Sequence, residues 1–216
     1  MKNFFISQYL QFFIVGVSTS ALPCRSDGDK KSNPGETGAK VKTVLVIGLK
    51  EGNITSNYFM AENIAEKTAL SKDSLEEAFS MEIIQGIKKI HGSGFNFVHL
   101  AHDKNSNVFL DKVQYRYDKE MMVSDLSDLK DEDYQKLIKQ HNAEYVLFLD
   151  HYFLKYEGGS NLFHIYNYDV YNKNKKNIYS GKTFFNTPDL EPLANYQKKY
   201  EKSGNKIIDQ LQKLSE

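Results

Sequence analysis

His99, His102 and Asp103 form the pattern H-x-x-H-D, a set of nitrogen and oxygen donors that suits a divalent metal or an acid–base pair. They lie at the end of the run Phe95 to Leu100, and α/β folds place their sites at the ends of parallel strands. Asp150-His151 is a second pair of this kind, inside the run Tyr145 to Phe153. Successive residues of a regular strand point to opposite faces, so the spacing predicts that Asp150 and His151 do not reach one ion together. A third group is aromatic: Tyr166, Tyr168, Tyr171 and Tyr179. These four read as a platform on which a glycan or peptide stacks, or as a cross-strand ladder under the last helix; the absence of tryptophan favours the ladder. Other chemistries lack their motifs. There is no G-x-G-x-x-G or G-x-x-x-x-G-K phosphate cradle and no G-x-S-x-G nucleophile turn. The only thiol, Cys24, lies ahead of the folded part. No catalytic residue is assigned on this basis, and no cofactor is expected.

The elements that must position these residues follow from periodicity. Val44-Leu45-Val46-Ile47 is apolar on both faces, as a central parallel strand covered by helices would be. Thr55-Ser56-Asn57 offers an N-cap for a helix near 58–69. Leu75, Phe79, Ile83, Ile87 and Ile90 recur at helical spacing over 73–91, with a capping-box spacing at Ser74 and Glu77 and a glycine, Gly86, inside. Residues 95–100 read as a strand. The stretch 102–128 is polar, with one short strand near Val113 to Tyr117. A helix near 130–141 carries acids in its first turn and Lys139 and His141 in its last, which suits the macrodipole. Strands at 145–153, 163–171 and 178–185 are spaced as an antiparallel meander, and a helix over 190–214 closes the chain, with Ser203-Gly204 a kink or a point of close approach. The order β-α-α-β-α-β-β-β-α predicts an α/β fold (α+β mixed): a mixed parallel and antiparallel sheet with helices packed on it.

Residues 1–23 read as an export signal. Lys2 is followed by the apolar core Phe12 to Val17 and by the small residues Ser18 to Ala21, and Ser7, Gln8 and Gln11 interrupt the run before it reaches membrane-spanning length. Cys24 stands at its end. A lone cysteine cannot form an internal disulfide, and this arrangement resembles a bacterial lipoprotein signal, which implies lipidation (palmitate included) at Cys24 and a membrane contact through the N-terminal lipid. Ala21, Leu22 and Pro23 depart from the usual Leu-small-Gly/Ala pattern, and ordinary cleavage after Ala21 is the alternative. Residues 24–40 hold no large apolar side chain and read as a flexible tether, which leaves 41–216 as a single α/β domain.

Charge narrows the function classes. The 28 basic and 28 acidic residues of this 216-residue chain cancel, so no global positive field recruits nucleic acid. All but Arg25 and Arg116 of the basic residues are lysine, which argues against bidentate phosphate or carboxylate readers. Residues 41–214 resemble, in layout, the lipoprotein family of the curli-secretion lipoprotein and the penicillin-binding-protein activators. The resemblance rests on Val44 to Leu49, on the step Asn142 to Leu147, and on the hairpin from Tyr168-Asp169-Val170 to Tyr179-Ser180-Gly181-Lys182. It implies an outer-membrane lipoprotein facing the periplasm or the surface, with an envelope protein as partner. The expectation is a non-catalytic, protein-binding or assembly accessory domain. The alternatives are an envelope hydrolase or metal-dependent enzyme around His99, His102 and Asp103, and a glycan- or peptide-binding lipoprotein using the tyrosines.

Overall fold

The apolar runs form the centre of the sheet. The computed structural model describes residues 41–100, 109–118 and 121–216; the signal, Cys24, the tether, His102 and Asp103 lie outside the described residues. Strands β1 (Lys42–Ile47), β3 (Phe95–Leu100), β6 (Tyr145–Tyr156), β7 (Leu162–Asn172) and β8 (Asn177–Thr187) lie in the order β3-β1-β6-β7-β8. β1 runs parallel to both β3 and β6, and β6, β7 and β8 are successively antiparallel. The mixed sheet expected from the element order is therefore present. Leu147 is fully buried at its centre.

Each face has its own cover. On the first face, helices α1 (Ala61–Thr68), α2 (Leu75–Lys88) and α4 (Gln197–Lys213) pack their apolar stripes on Val44, Val46, Leu147, Leu149, Tyr152 and Tyr166. On the second, helix α3 (Asp131–His141) and the segments before it cover Leu45, Ile47, Val146 and Phe148. Helices α2 and α4 approach closely at two glycines. A Cβ on Gly86 would lie 2.7 Å from the Tyr200 carbonyl carbon, and one on Gly204 would lie 3.1 Å from Ile87 Cγ1. Gly204 is thus a close-approach residue, since α4 runs unbroken through it.

Three local expectations are corrected. Thr55 and Ser56 do not cap a helix; they belong to β2 (Ile54–Ser56), a short strand that pairs in parallel with β6 beyond the point where β1 ends. The Ser74 hydroxyl meets Ser71 rather than the first turn of α2, so no capping box forms there. The polar stretch before α3 holds a two-stranded antiparallel hairpin, β4 (Gln114–Asp118) and β5 (Met121–Asp125), which forms a small sheet of its own. Its polarity hid it: β4 alternates Gln114, Arg116 and Asp118 with two tyrosines, and only Tyr115 of β4 is partly buried.

Candidate functional site

The exit of β1 is shaped by one close contact. The Ser80 hydroxyl on α2 accepts the Leu49 N–H at 2.8 Å and occupies the space that a Gly48 side chain would need. The chain turns through residues 48–53, and Glu76 on α2 accepts the Gly52 N–H at 3.0 Å. Between this turn, α1 and α2 lies a cleft of about 750 Å³. Leu49, Ile54, Ala61, Ile64 and Leu75 give it an apolar floor, and Glu51, Asp73, Glu76 and Glu77 an acidic rim. The one lysine in its lining, Lys72, is paired with Glu62 at 2.6 Å. Apolar pockets with a few placed polar groups are the usual form of a binding site, and the exit of a parallel strand is its usual place.

A second polar constellation is buried within the other face, and it depends on an irregularity in β6. Leu149 pairs with Tyr168 and His151 with Asn167, so Asp150 is an extra residue without a partner in the ladder. In a regular strand Leu149 and Tyr152, three apart, would point to opposite faces. The bulge at Asp150 puts both into the first core, which sends Asp150 and His151 together to the second face. The regular alternation assumed for this strand in the sequence therefore fails at Asp150. His151 meets the Thr55 hydroxyl at 2.7 Å through Nε2 and packs on Phe153 and Tyr117. Asp150 lies beside Asp169 of β7, and both are fully buried.

The hairpin closes over this pair at one residue. Asp169 Oδ2 accepts both the N–H and the hydroxyl of Ser124 at 2.8 Å, and the Tyr171 hydroxyl donates to the Ser124 carbonyl at 2.7 Å. Asp150 Oδ1 and Oδ2 and Asp169 Oδ1 have no hydrogen-bond partner. Burial, then the neighbouring Asp169 charge, push the Asp150 carboxyl well above the ordinary carboxylate range, and the nearby Ser124 donors offset this only in part. Burial raises Asp169 as well, against the hydrogen bonds it accepts. Burial and both carboxylates raise the Tyr115 phenol above them.

The residues singled out in the sequence are dispersed. His99 is half-buried on β3 and lies near Gly48 and Ser80 on the first face, away from Asp150 and His151. Among the described residues no group of three or more His, Cys, Asp or Glu side chains is arranged to hold a metal. Tyr166 and Tyr168 are buried in the first core; Tyr166 donates to the Ser203 hydroxyl of α4 at 2.7 Å. Tyr171 is buried in the second core, and Tyr179 packs partly buried beside Tyr168 with ring centroids 5.8 Å apart. No ring face of the three buried tyrosines is open to a ligand.

Sequence reading missed the Asp150–Asp169 pair. Its signal was a charged residue inside each of two largely apolar and aromatic strands, a position that charge rarely takes without a partner.

No family model and no curated protein matches this chain. Two solved structures similar to part of it are both PelC dodecamers from Paraburkholderia phytofirmans, one a leucine-to-methionine variant in space group C2 and the other in space group P6. The first is 10% identical with a TM-score of 0.39, the second 9% identical with a TM-score of 0.38. Each comparison covers 76% of this chain and 86% of the other. At these TM-scores the likeness carries no functional argument, and function must be read from the chain itself.

Proposed function

We propose that this chain is an exported protein of the bacterial envelope, anchored by lipid at Cys24, whose domain binds another protein and performs no catalysis. The membrane is the outer one, with the domain on its periplasmic or surface side, in keeping with the resemblance to the curli-secretion and penicillin-binding-protein-activator lipoproteins. The cleft at the exit of β1 is the observation that carries the binding role. Its apolar floor takes an apolar anchor side chain, and its acidic rim selects partners with basic residues around that anchor. The acid pair is in keeping with the non-catalytic part of the reading, because Asp150 and Asp169 are closed from solvent under the hairpin.

A photo-crosslinking side chain at Asp73 in intact cells tests the reading. The expected result is one dominant protein adduct. The double reversal Glu51→Lys and Glu77→Lys should remove it while thermal unfolding stays unchanged, since both side chains are exposed. An adduct that survives the reversal, or no protein adduct at all, would move the binding role away from the cleft.

A further inference from the structure

The β4–β5 hairpin is attached to the main sheet unlike any other strand pair. Its strands hydrogen-bond to each other but form no ladder with β6 or β7. Ser124 is its main fastening, through all three of its polar groups. Beneath it, three carboxylate oxygens of Asp150 and Asp169 are buried without a donor. Two ionised carboxylates cannot remain adjacent in a dry layer without donors or a counter-charge. Asp169 keeps the charge more easily, because Ser124 gives it two hydrogen bonds, whereas neither oxygen of Asp150 has a partner. A proton on Asp150 removes one of the two charges.

We propose that the β4–β5 hairpin is a proton-latched cover, closed over β6 and β7 while Asp150 and Asp169 share one proton and lifted when that proton is lost to water. Loss of the proton leaves two anions that must be hydrated. β6 is held by β7 on one side and by β1 and β2 on the other, and β7 is held by β8, so the strands cannot part cheaply. The hairpin is the side that yields.

The other groups facing the pair do not replace the latch. On β4, Tyr115 is a neutral phenol held above its usual range, and Tyr117 is exposed beside His151. On β6, burial holds His151 below the usual imidazole range, so it is neutral where the latch would open. On β7, burial raises Tyr171, and from α3 it raises Tyr134. Asp125 of β5 is turned outward to Arg116, at 3.3 Å. None of these supplies a positive charge to the pair.

Two measurements on the full domain decide the matter. Infrared spectra at neutral pH should show the carbonyl stretch of a protonated carboxylic acid, lost in Asp150→Asn. Hydrogen-exchange protection factors, corrected for intrinsic rates, should fall for residues 114–118 and 121–125 as pH rises. Between the ordinary carboxyl range and the raised value of the closed pair the fall is about tenfold per pH unit for one proton released, and it levels off above that, while β6 and β7 stay protected. The Asp150→Asn hairpin should stay protected at all these pH values, because the amide is neutral throughout. The infrared test uses the unaltered protein and stands even if the variant folds poorly. Absence of the acid band would overturn the proposal, as would equal loss of protection in hairpin and sheet. Protection that follows added calcium or chelator and not pH would overturn it too, in favour of a bound cation.

Discussion

His164 shows how a single buried side chain sets the acid limit of this domain. It lies in the first core with Nδ1 2.9 Å from the Tyr152 hydroxyl and Nε2 2.9 Å from that of Thr187, stacked on Phe185. Burial, with a smaller contribution from Lys199, lowers its pKa from 6.5 to about 3. The unfolded chain therefore binds a proton that the folded one refuses between these values. Stability is fully present above pH 6.5 and declines as pH falls toward 3, by up to about 1.4 kcal/mol per pH unit. Asp150 and Asp169 act in the opposite sense: their folded pKa values are raised, so their contribution is present at low pH and lost as pH rises. Urea midpoints between about pH 7 and about pH 4 for the native protein and for His164→Asn separate the two. The variant should lose less stability on acidification, and parallel curves would show that His164 does not set the slope.

Among the elements, the α2–α4 contact is the most exacting. Tyr200 of α4 hydrogen-bonds Tyr152 of the sheet at 3.0 Å, and the same turn passes over Gly86 with no room for a methyl group. Gly86→Ala gains helix propensity but forces the helices apart, and overpacking of this kind costs about 1–3 kcal/mol. A lowered melting temperature is the expected outcome. An unchanged or higher one would mean that α4 shifts freely. Gly86 was legible as a point of close packing, because glycine inside an apolar helix stripe has few other uses; Gly204 was legible only as a kink or a close approach, and the partner helix decides for the second. The main strands and helices were legible for a related reason: burial on one or both faces writes its period into the sequence. β2 was not. Thr55 and Ser56 are also good capping residues, and only the ladder to β6 decides between the two. The hairpin was only half legible, since one of its faces stays in water. The acid pair was hidden by the bulge, a change of register that alternation cannot signal.

On the scale of the whole molecule, no helix among the described residues is long and apolar enough to cross a membrane. Under the proposed function, the lipid at Cys24 supplies the attachment. Two acyl chains hold a protein stably, whereas one holds it marginally. Cys24→Ala should therefore abolish labelling by a radioactive fatty acid and move the protein out of the membrane fraction, either as an uncleaved precursor or as a domain released after cleavage near Ala21. A native protein that takes up no label and begins at Leu22 would refute the anchor. The bulge in β6 bears on the molecule's history as well as its shape. Because Leu149 and His151 already pair with consecutive residues of β7, Asp150 can be removed without moving any neighbour to another partner or another face. A chain lacking Asp150 should close the same sheet as an unbroken ladder, losing the contact from Asn53 Nδ2 to the Asp150 carbonyl at 2.7 Å. It should melt at a higher temperature at alkaline pH than the native protein does. A one-codon deletion in the middle of the central strand, normally ruinous, would here leave the architecture intact and remove the latch beneath the hairpin.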